Sequence, residues 1–195
     1  MRFPGLARPL AVLIAGAYLV EHAAFIARGE WDVQRHLPLH LTDVVTIVSV
    51  LALWTRHVRL VELTYFWALT ASLQALLTPN LTADTATIFV WTFFIAHGGA
   101  IVAAILLVAG RRIIPPAGAV GRVFGATLVV AAAAAAGDVI TGGNYMFLRE
   151  KPSTASLLDV MGPWPVYIAG AGALGLGLFA LLDLPLRRAR AIGAG

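Results

Sequence analysis

Apolar residues fall into six long runs separated by short polar breaks, at about Pro9–Ala27, Leu39–Trp54, Leu60–Thr78, Thr85–Gly110, Ala117–Ile140 and Pro163–Leu184. About 20 apolar residues span a bilayer as a helix, and barrel strands would instead alternate apolar with polar positions. The pattern therefore predicts an all-α polytopic membrane protein, a bundle of six transmembrane helices forming a single domain over residues 1–195. The first run follows Arg2 and Arg8 and so resembles a secretory signal. It is too long for a signal core and contains Glu21 and His22, so it reads as a retained helix. The one long break, Thr141–Gly162, is long enough to fold over an end of the bundle. Gly142, Gly143 and Pro152 suit sharp turns there, and Tyr145, Phe147 and Leu148 offer apolar contacts.

Charge then orients the bundle. With the N-terminus inside, the inner segments hold Arg2, Arg8, Arg56, Arg59, Arg111, Arg112, Arg122, Arg187, Arg188 and Arg190. The outer segments hold only Arg28, Arg35, Arg149 and Lys151, as the positive-inside rule requires. An even number of spans puts both termini in the cytoplasm. Composition agrees with a membrane protein: 59% of residues are hydrophobic, 12% are charged, and the mean hydropathy is +0.85. The net charge of +4 follows from the basic loops, so no nucleic-acid partner is expected. The absence of cysteine excludes disulfides and thiolate chemistry. A single Lys beside thirteen Arg, with abundant Ala, Gly and Val, suggests a GC-rich bacterial genome and hence a bacterial inner membrane.

Polar residues segregate in the same frame. The outer ends collect Glu21, His22, His36, His40, Thr42, Asp43, Gln74, Thr78, Asn80, His97, Asp138, Asn144 and Asp159, whereas the inner ends carry arginine with His57 and Glu62. Buried polar groups need partners, so a water-accessible pocket in the outer half is expected. His40 and Asp43 lie three apart on one helical face, where a carboxylate can fix an imidazole tautomer. His36 and His40 are equally compatible with a place at the lipid headgroups. His97, deep in its run, needs a partner across a helix interface or packs as a hydrogen-bonded core residue. Thr42 alone is weak evidence; beside a histidine base it becomes a nucleophile. Counted from the span ends, His97 lies about 10 Å deeper than Thr42. The histidines and Asp43 are of the types that bind zinc, but Pro38 interrupts the one His-x-x-x-His pair, so neither a metal nor another cofactor is expected.

Several segments together resemble a known family. They are His36-Leu-Pro-Leu-His40-Leu-Thr-Asp43, Glu62-Leu-Thr-Tyr-Phe-Trp67, Leu73-Gln-Ala-Leu-Leu-Thr-Pro79, Phe93-Phe-Ile-Ala-His97-Gly98, Thr141-Gly-Gly-Asn-Tyr-Met-Phe-Leu148, Lys151-Pro152, and Ser156-Leu-Leu-Asp159 with Gly162-Pro-Trp-Pro165. In this order they resemble the bacterial YwaF-type integral membrane proteins, which are similar to the transmembrane protein 164 group of animals. That resemblance implies acyl chemistry on lipids. The animal relatives look like phospholipid acyltransferases with a cysteine and a histidine. More distant androgen-induced-gene type hydrolases use a threonine and a histidine. The family's cysteine position is Thr42 here and its histidine is His97, so the chain departs from the cysteine form.

The sequence thus predicts a lipid acyl hydrolase or acyltransferase in which Thr42 attacks an ester carbonyl and His97 moves the proton. His36, His40, Asp43, Gln74, Asn144 and Tyr145 are the expected supporting or substrate-binding residues, with Asn144 or Gln74 at the oxyanion and Asp43 as a structural support. The partner is a membrane lipid or fatty acyl ester. The alternative is a non-catalytic lipid- or small-molecule-binding membrane protein, or a permease, using the same outer cavity.

Overall fold

A computed structural model describes residues 5–79, 81 and 85–193. Six helices build the bundle: α1 Ala7–Ala27, α2 Leu41–Thr55, α3 Val58–Leu77, α4 Thr87–Gly110, α5 Ala119–Thr141 and α6 Val166–Gly193. No strand is present among the described residues. All but α2 are long and apolar enough to cross a membrane. Asn80, one of the polar residues expected at the outer end, lies outside the described residues, as does Arg2.

Small side chains set the packing of the centre. Ala7, Ala11 and Ile14 of α1 are buried, as are Ala96, Ala100, Ala103 and Ala104 of α4. A Cβ added at Gly99 would come within 2.6 Å of Ile14 Cγ1, so glycine is what permits this approach. With little to gain from leaving a lipid solvent, membrane helices associate through such close contact. Val45, Ala52 and Leu53 of α2 and Val61, Phe66 and Trp67 of α3 complete the core. The outer helices are pinned by specific contacts. The Trp67 indole donates to Thr127 Oγ1 at 2.8 Å, the Tyr65 hydroxyl to Leu182 O at 3.1 Å, and Phe66 meets Phe179 edge-on.

Two ends can be told apart. At one, the arginine end, Arg8 lies over the Trp54 ring and Arg122 forks onto Glu62. The same Arg122 holds the carbonyls of Pro116 and Ala117, and Arg190 that of Pro115. The other is the loop end, where residues 142–162 cover the bundle with short 3₁₀ turns at Tyr145–Phe147 and Leu157–Met161. Both α1 and α6 have their chain-terminal ends at the arginine end.

Three features of the helices have physical causes. First, α6 continues well past Leu184 with Pro185 inside it. Asp183 pairs with Arg187 at 2.7 Å and Arg190 at 2.8 Å, and these i,i+4 and i,i+7 bonds carry the helix across the missing N–H. Second, α3 contains a π turn at Ala68–Ser72, where the Thr70 hydroxyl donates to Phe66 O at 2.7 Å and competes with the regular ladder. Third, α2 has only 15 residues, roughly 22 Å of rise. Its partner α3 has 20 residues and is joined to it by a tight turn at the arginine end, so the shortfall lies entirely at the loop end. The chain before α2 therefore descends toward the bundle in non-helical form. Irregular backbone at that depth is tolerated only where protein or a cavity surrounds it.

Candidate functional site

The first turn of α2 sits at the bottom of that descent. Asp43 at the third helical position accepts the His40 backbone N–H at 3.2 Å, as a carboxylate in a capping box does. Here the structure corrects the expected imidazole–carboxylate pairing. Asp43 meets the His40 backbone, and the His40 ring turns toward the loop, where its Nδ1 accepts the Met146 N–H at 3.2 Å. This bond needs a neutral ring with its proton on Nε2.

Half-buried Thr42 stands between His40 and Asp43 in sequence, and its carbonyl accepts the Thr46 hydroxyl at 2.9 Å. Its own Oγ1 has no hydrogen-bond partner among the described contacts. The N–H groups of Leu41 and Thr42 belong to the open first turn, where a helix has no internal acceptors for them. Below Thr42, an apolar slot of about 190 Å³ runs between α1 and α2. It is walled by Tyr18, Leu19, Thr46, Ile47 and Val50, among others. Thr46 and Val50 follow Thr42 at intervals of four, so Thr42 lies one turn above the slot on the same side of α2. Leu19 is 67% exposed and Leu51 46%, which opens the slot sideways to lipid.

Around this turn lie polar groups of α1 and α4. The buried Thr92 side chain contacts the Glu21 carboxylate, and Glu21 and His22 are within electrostatic range of Asp43. His22 Nδ1 is 3.0 Å from Tyr18 O. Thr92 and Tyr18 were missed in the sequence, because a threonine and a tyrosine inside apolar runs carry no signal until neighbouring helices are placed.

His97 lies in the same bundle but at another level. Its Nδ1 is 2.8 Å from Phe93 O, and its ring packs on Phe93 at 4.2 Å. With Nδ1–H donated to that carbonyl, Nε2 is left as an acceptor. No hydrogen bond joins it to Thr42. Phe25 stacking on Phe89 and Ile14 packing on Gly99 fix the register of α1 against α4. His97 is five residues beyond Thr92 along α4, roughly 7 Å deeper. Side chains lean toward the N-terminus of their helix, so the His97 ring leans back toward the loop end.

The remaining expected residues divide. Tyr145 is fully buried; its hydroxyl donates to Val33 O and accepts the Leu37 N–H at 3.1 Å, and its own N–H donates to Asp138 at 2.6 Å. It thereby ties the descending segment to the loop and α5. His36 lies in that segment, its Nδ1 2.9 Å from the Asp32 N and 3.2 Å from the Asp32 O, and its ring against Phe25. Burial holds the His36 imidazole below its usual pKa, against the opposing pull of Asp32. Asn144 does not reach toward Thr42. Its amide bonds Glu150 O, and its carbonyl takes the N–H groups of Arg149 and Glu150, closing the loop on itself. Gln74 is exposed and its amide donates to Thr78 Oγ1 at 2.9 Å on its own helix end, not to Thr42. Among the described residues no group of three or more His, Asp or Glu side chains is placed to hold a metal ion.

No curated protein and no solved structure matches the chain significantly. One protein-family profile does, over residues 3–183, nearly the whole length. The chain is a multi-pass helical membrane protein and belongs to the TMEM164 family.

Proposed function

We propose that this protein is a lipid acyl hydrolase or acyltransferase, with Thr42 as nucleophile and His97 as general base. The observation that carries the reading is the apolar slot between α1 and α2, whose Thr46 wall lies one helical turn from Thr42 and whose Leu19 and Leu51 edge is exposed. An acyl chain lying in the slot brings its ester carbonyl to the first turn of α2. Thr42 Oγ1 then bonds to the carbonyl carbon, and its proton passes to His97 Nε2. The tetrahedral oxyanion is met by the open N–H groups of Leu41 and Thr42. His97 returns the proton to the departing alkoxide, and water or the hydroxyl of a second lipid removes the acyl group from Thr42. Thr42 and His97 do not touch without substrate; catalytic hydrogen bonds often close only around it. In this reading the loop end opens to the outer leaflet of a bacterial cell membrane and both termini are cytoplasmic.

The lack of direct Thr42–His97 contact equally suits a non-catalytic lipid-binding bundle, and one experiment separates the two. The purified full chain is incubated with a panel of phospholipids and fatty esters and then exposed to a fluorophosphonate probe. The catalytic reading expects turnover and labelling that both vanish in Thr42→Ala. Labelling that survives Thr42→Ala removes Thr42 as nucleophile. Absence of both turnover and labelling leaves the binding bundle. Reporter fusions at the C-terminus that score as extracytoplasmic would overturn the orientation.

A further inference from the structure

Beyond Asp138 and Tyr145, on the far side of the loop from His40, lies a second opening that the acyl reading does not use. It is a groove of about 490 Å³ lined by Ala135, Asp138, Val139, Gly142, Leu148 and Arg149. It opens where the C-terminal end of α5 meets the loop. Val139 and Ile140 beside it are 85% and 82% exposed, as expected of a helix face turned to lipid chains. The exposed Trp164 indole, which donates to Leu148 O at 3.0 Å, sits at the same level. Tryptophan commonly marks the boundary between chains and headgroups.

The polar end of the groove has one charge of each sign. Arg149 Nη1 lies 3.4 Å from Asp138 O and 3.3 Å from Gly143 O. These bonds hold the guanidinium over the end of α5, while its Nε and Nη2 have no protein partner among the described residues. A free guanidinium edge of this kind receives a phosphate. Behind it Asp138 is 1% exposed, with Oδ1 bound to the Tyr145 N–H and Oδ2 buried without a partner. The end of α5 adds its own partial negative charge. A purely anionic headgroup would gain Arg149 but meet both negative sources. A headgroup with a phosphate and an ammonium answers both.

We propose that this groove binds a zwitterionic phospholipid. Its phosphate rests on Arg149, its ammonium faces the α5 terminus in the field of Asp138, and one chain lies along Ala135 and Val139. This site is separate from the slot under Thr42. The Tyr145 ring and the Asp138 side chain stand between it and His40, and Leu39 packs on Gly137 behind them.

The test is a binding titration of the purified, delipidated full chain with short-chain phosphatidylcholine below its micelle concentration, read as a shift in thermal midpoint. Phosphatidylglycerol and diacylglycerol of the same chain length serve as comparisons. Arg149→Gln is expected to weaken phosphatidylcholine binding about tenfold, the scale of one charged hydrogen bond. Ala135 is exposed, so Ala135→Trp leaves the fold intact and is expected to weaken binding by blocking the chain path; it decides the matter should Arg149→Gln fail to fold. The proposal is overturned if either groove variant binds phosphatidylcholine normally, or if phosphatidylglycerol or diacylglycerol binds as tightly as phosphatidylcholine. Loss of binding in Thr42→Ala would place the lipid in the α1–α2 slot instead. Because the readout is binding, an inactive enzyme does not affect the result.

Discussion

The two ends of the bundle handle their inward acid groups, buried or half-buried, in opposite ways. At the arginine end every buried carboxylate is saturated. Glu62, 2% exposed, takes both prongs of the Arg122 guanidinium and a bond from Arg59, and Asp183 takes Arg187 and Arg190. The same arginines also satisfy the carbonyls of Pro115, Pro116 and Ala117. At the loop end Glu21, Asp43 and Asp138 have no arginine or lysine salt bridge among the described residues. They meet a threonine, backbone N–H groups and neighbouring histidines. A carboxylate locked between guanidinium groups holds structure. One facing hydroxyls, imidazoles and open amides is in surroundings where protons can move. On the proposed reading, chemistry belongs at the loop end and rigidity at the arginine end.

The contrast is sharpened most by separating activity from stability. His97→Ala and Thr42→Ala are expected to lower ester turnover by about 10²–10⁴-fold, the usual worth of general acid–base assistance. Their thermal midpoints should stay near that of the parent, since neither side chain makes a bond to another helix. A His97→Ala protein with full turnover would remove His97 from the mechanism. The arginine end should respond the other way. Arg122→Ala leaves Glu62 buried with Arg59 alone and strips two carbonyls of their donor. The expected loss is about 3 kcal/mol of stability, the low end for breaking a buried pair, because Arg59 remains. Denaturation of the detergent-solubilised protein measures it, and turnover per folded molecule should not change. If Arg122→Ala cost activity but no stability, the two ends would not be specialised as described.

Much of this division is legible in the sequence and some is not. Six apolar runs separated by charged breaks set the number of helices, because the cost of an unpaired backbone in lipid leaves little choice of structure. The segregation of arginine from His36, His40, Thr42 and Asp43 is visible for the same reason. Helix ends are less legible. Pro185 reads as a stop until Asp183, Arg187 and Arg190 are seen to bridge it, although their i,i+4 and i,i+7 spacing is a signal that could have been used. Partners across helices are illegible. Asn144 and Gln74 are amides near the expected site in sequence, yet one closes its own loop and the other caps its own helix. Which groups meet depends on the register of α1 against α4. That register rests on Gly99 accepting Ile14, a contact no single segment encodes.

Tyr145 tests the loop end at intermediate scale. Its hydroxyl bridges Val33 O and the Leu37 N–H within a fully buried site, so removing it orphans a donor and an acceptor together. Tyr145→Phe is expected to cost about 1–3 kcal/mol. The loss should fall on the descending segment, so amide exchange in residues 33–40 should quicken before that of α3 or α4. Uniform loss of protection across all helices would instead make Tyr145 an ordinary core residue.

The smallest expected effect is a pH dependence that only the loop end should show. Burial of His36 disfavours its charged form and outweighs the Asp32 carbonyl and carboxylate, which favour it. The folded-state pKa therefore lies below the 6.5 of an ordinary histidine. Above 6.5 both folded and unfolded chains hold His36 neutral, and it contributes nothing to pH dependence. As the pH falls through 6.5 the unfolded chain binds a proton before the folded one does, so stability declines. Below the lowered folded pKa both are charged and the decline ends. The His36 contribution to the thermal midpoint should decline between about pH 7 and 5, so the difference between the parent and His36→Gln should change over that range. Melting curves whose slope is unchanged by His36→Gln would show that the imidazole is not held neutral by the descending segment.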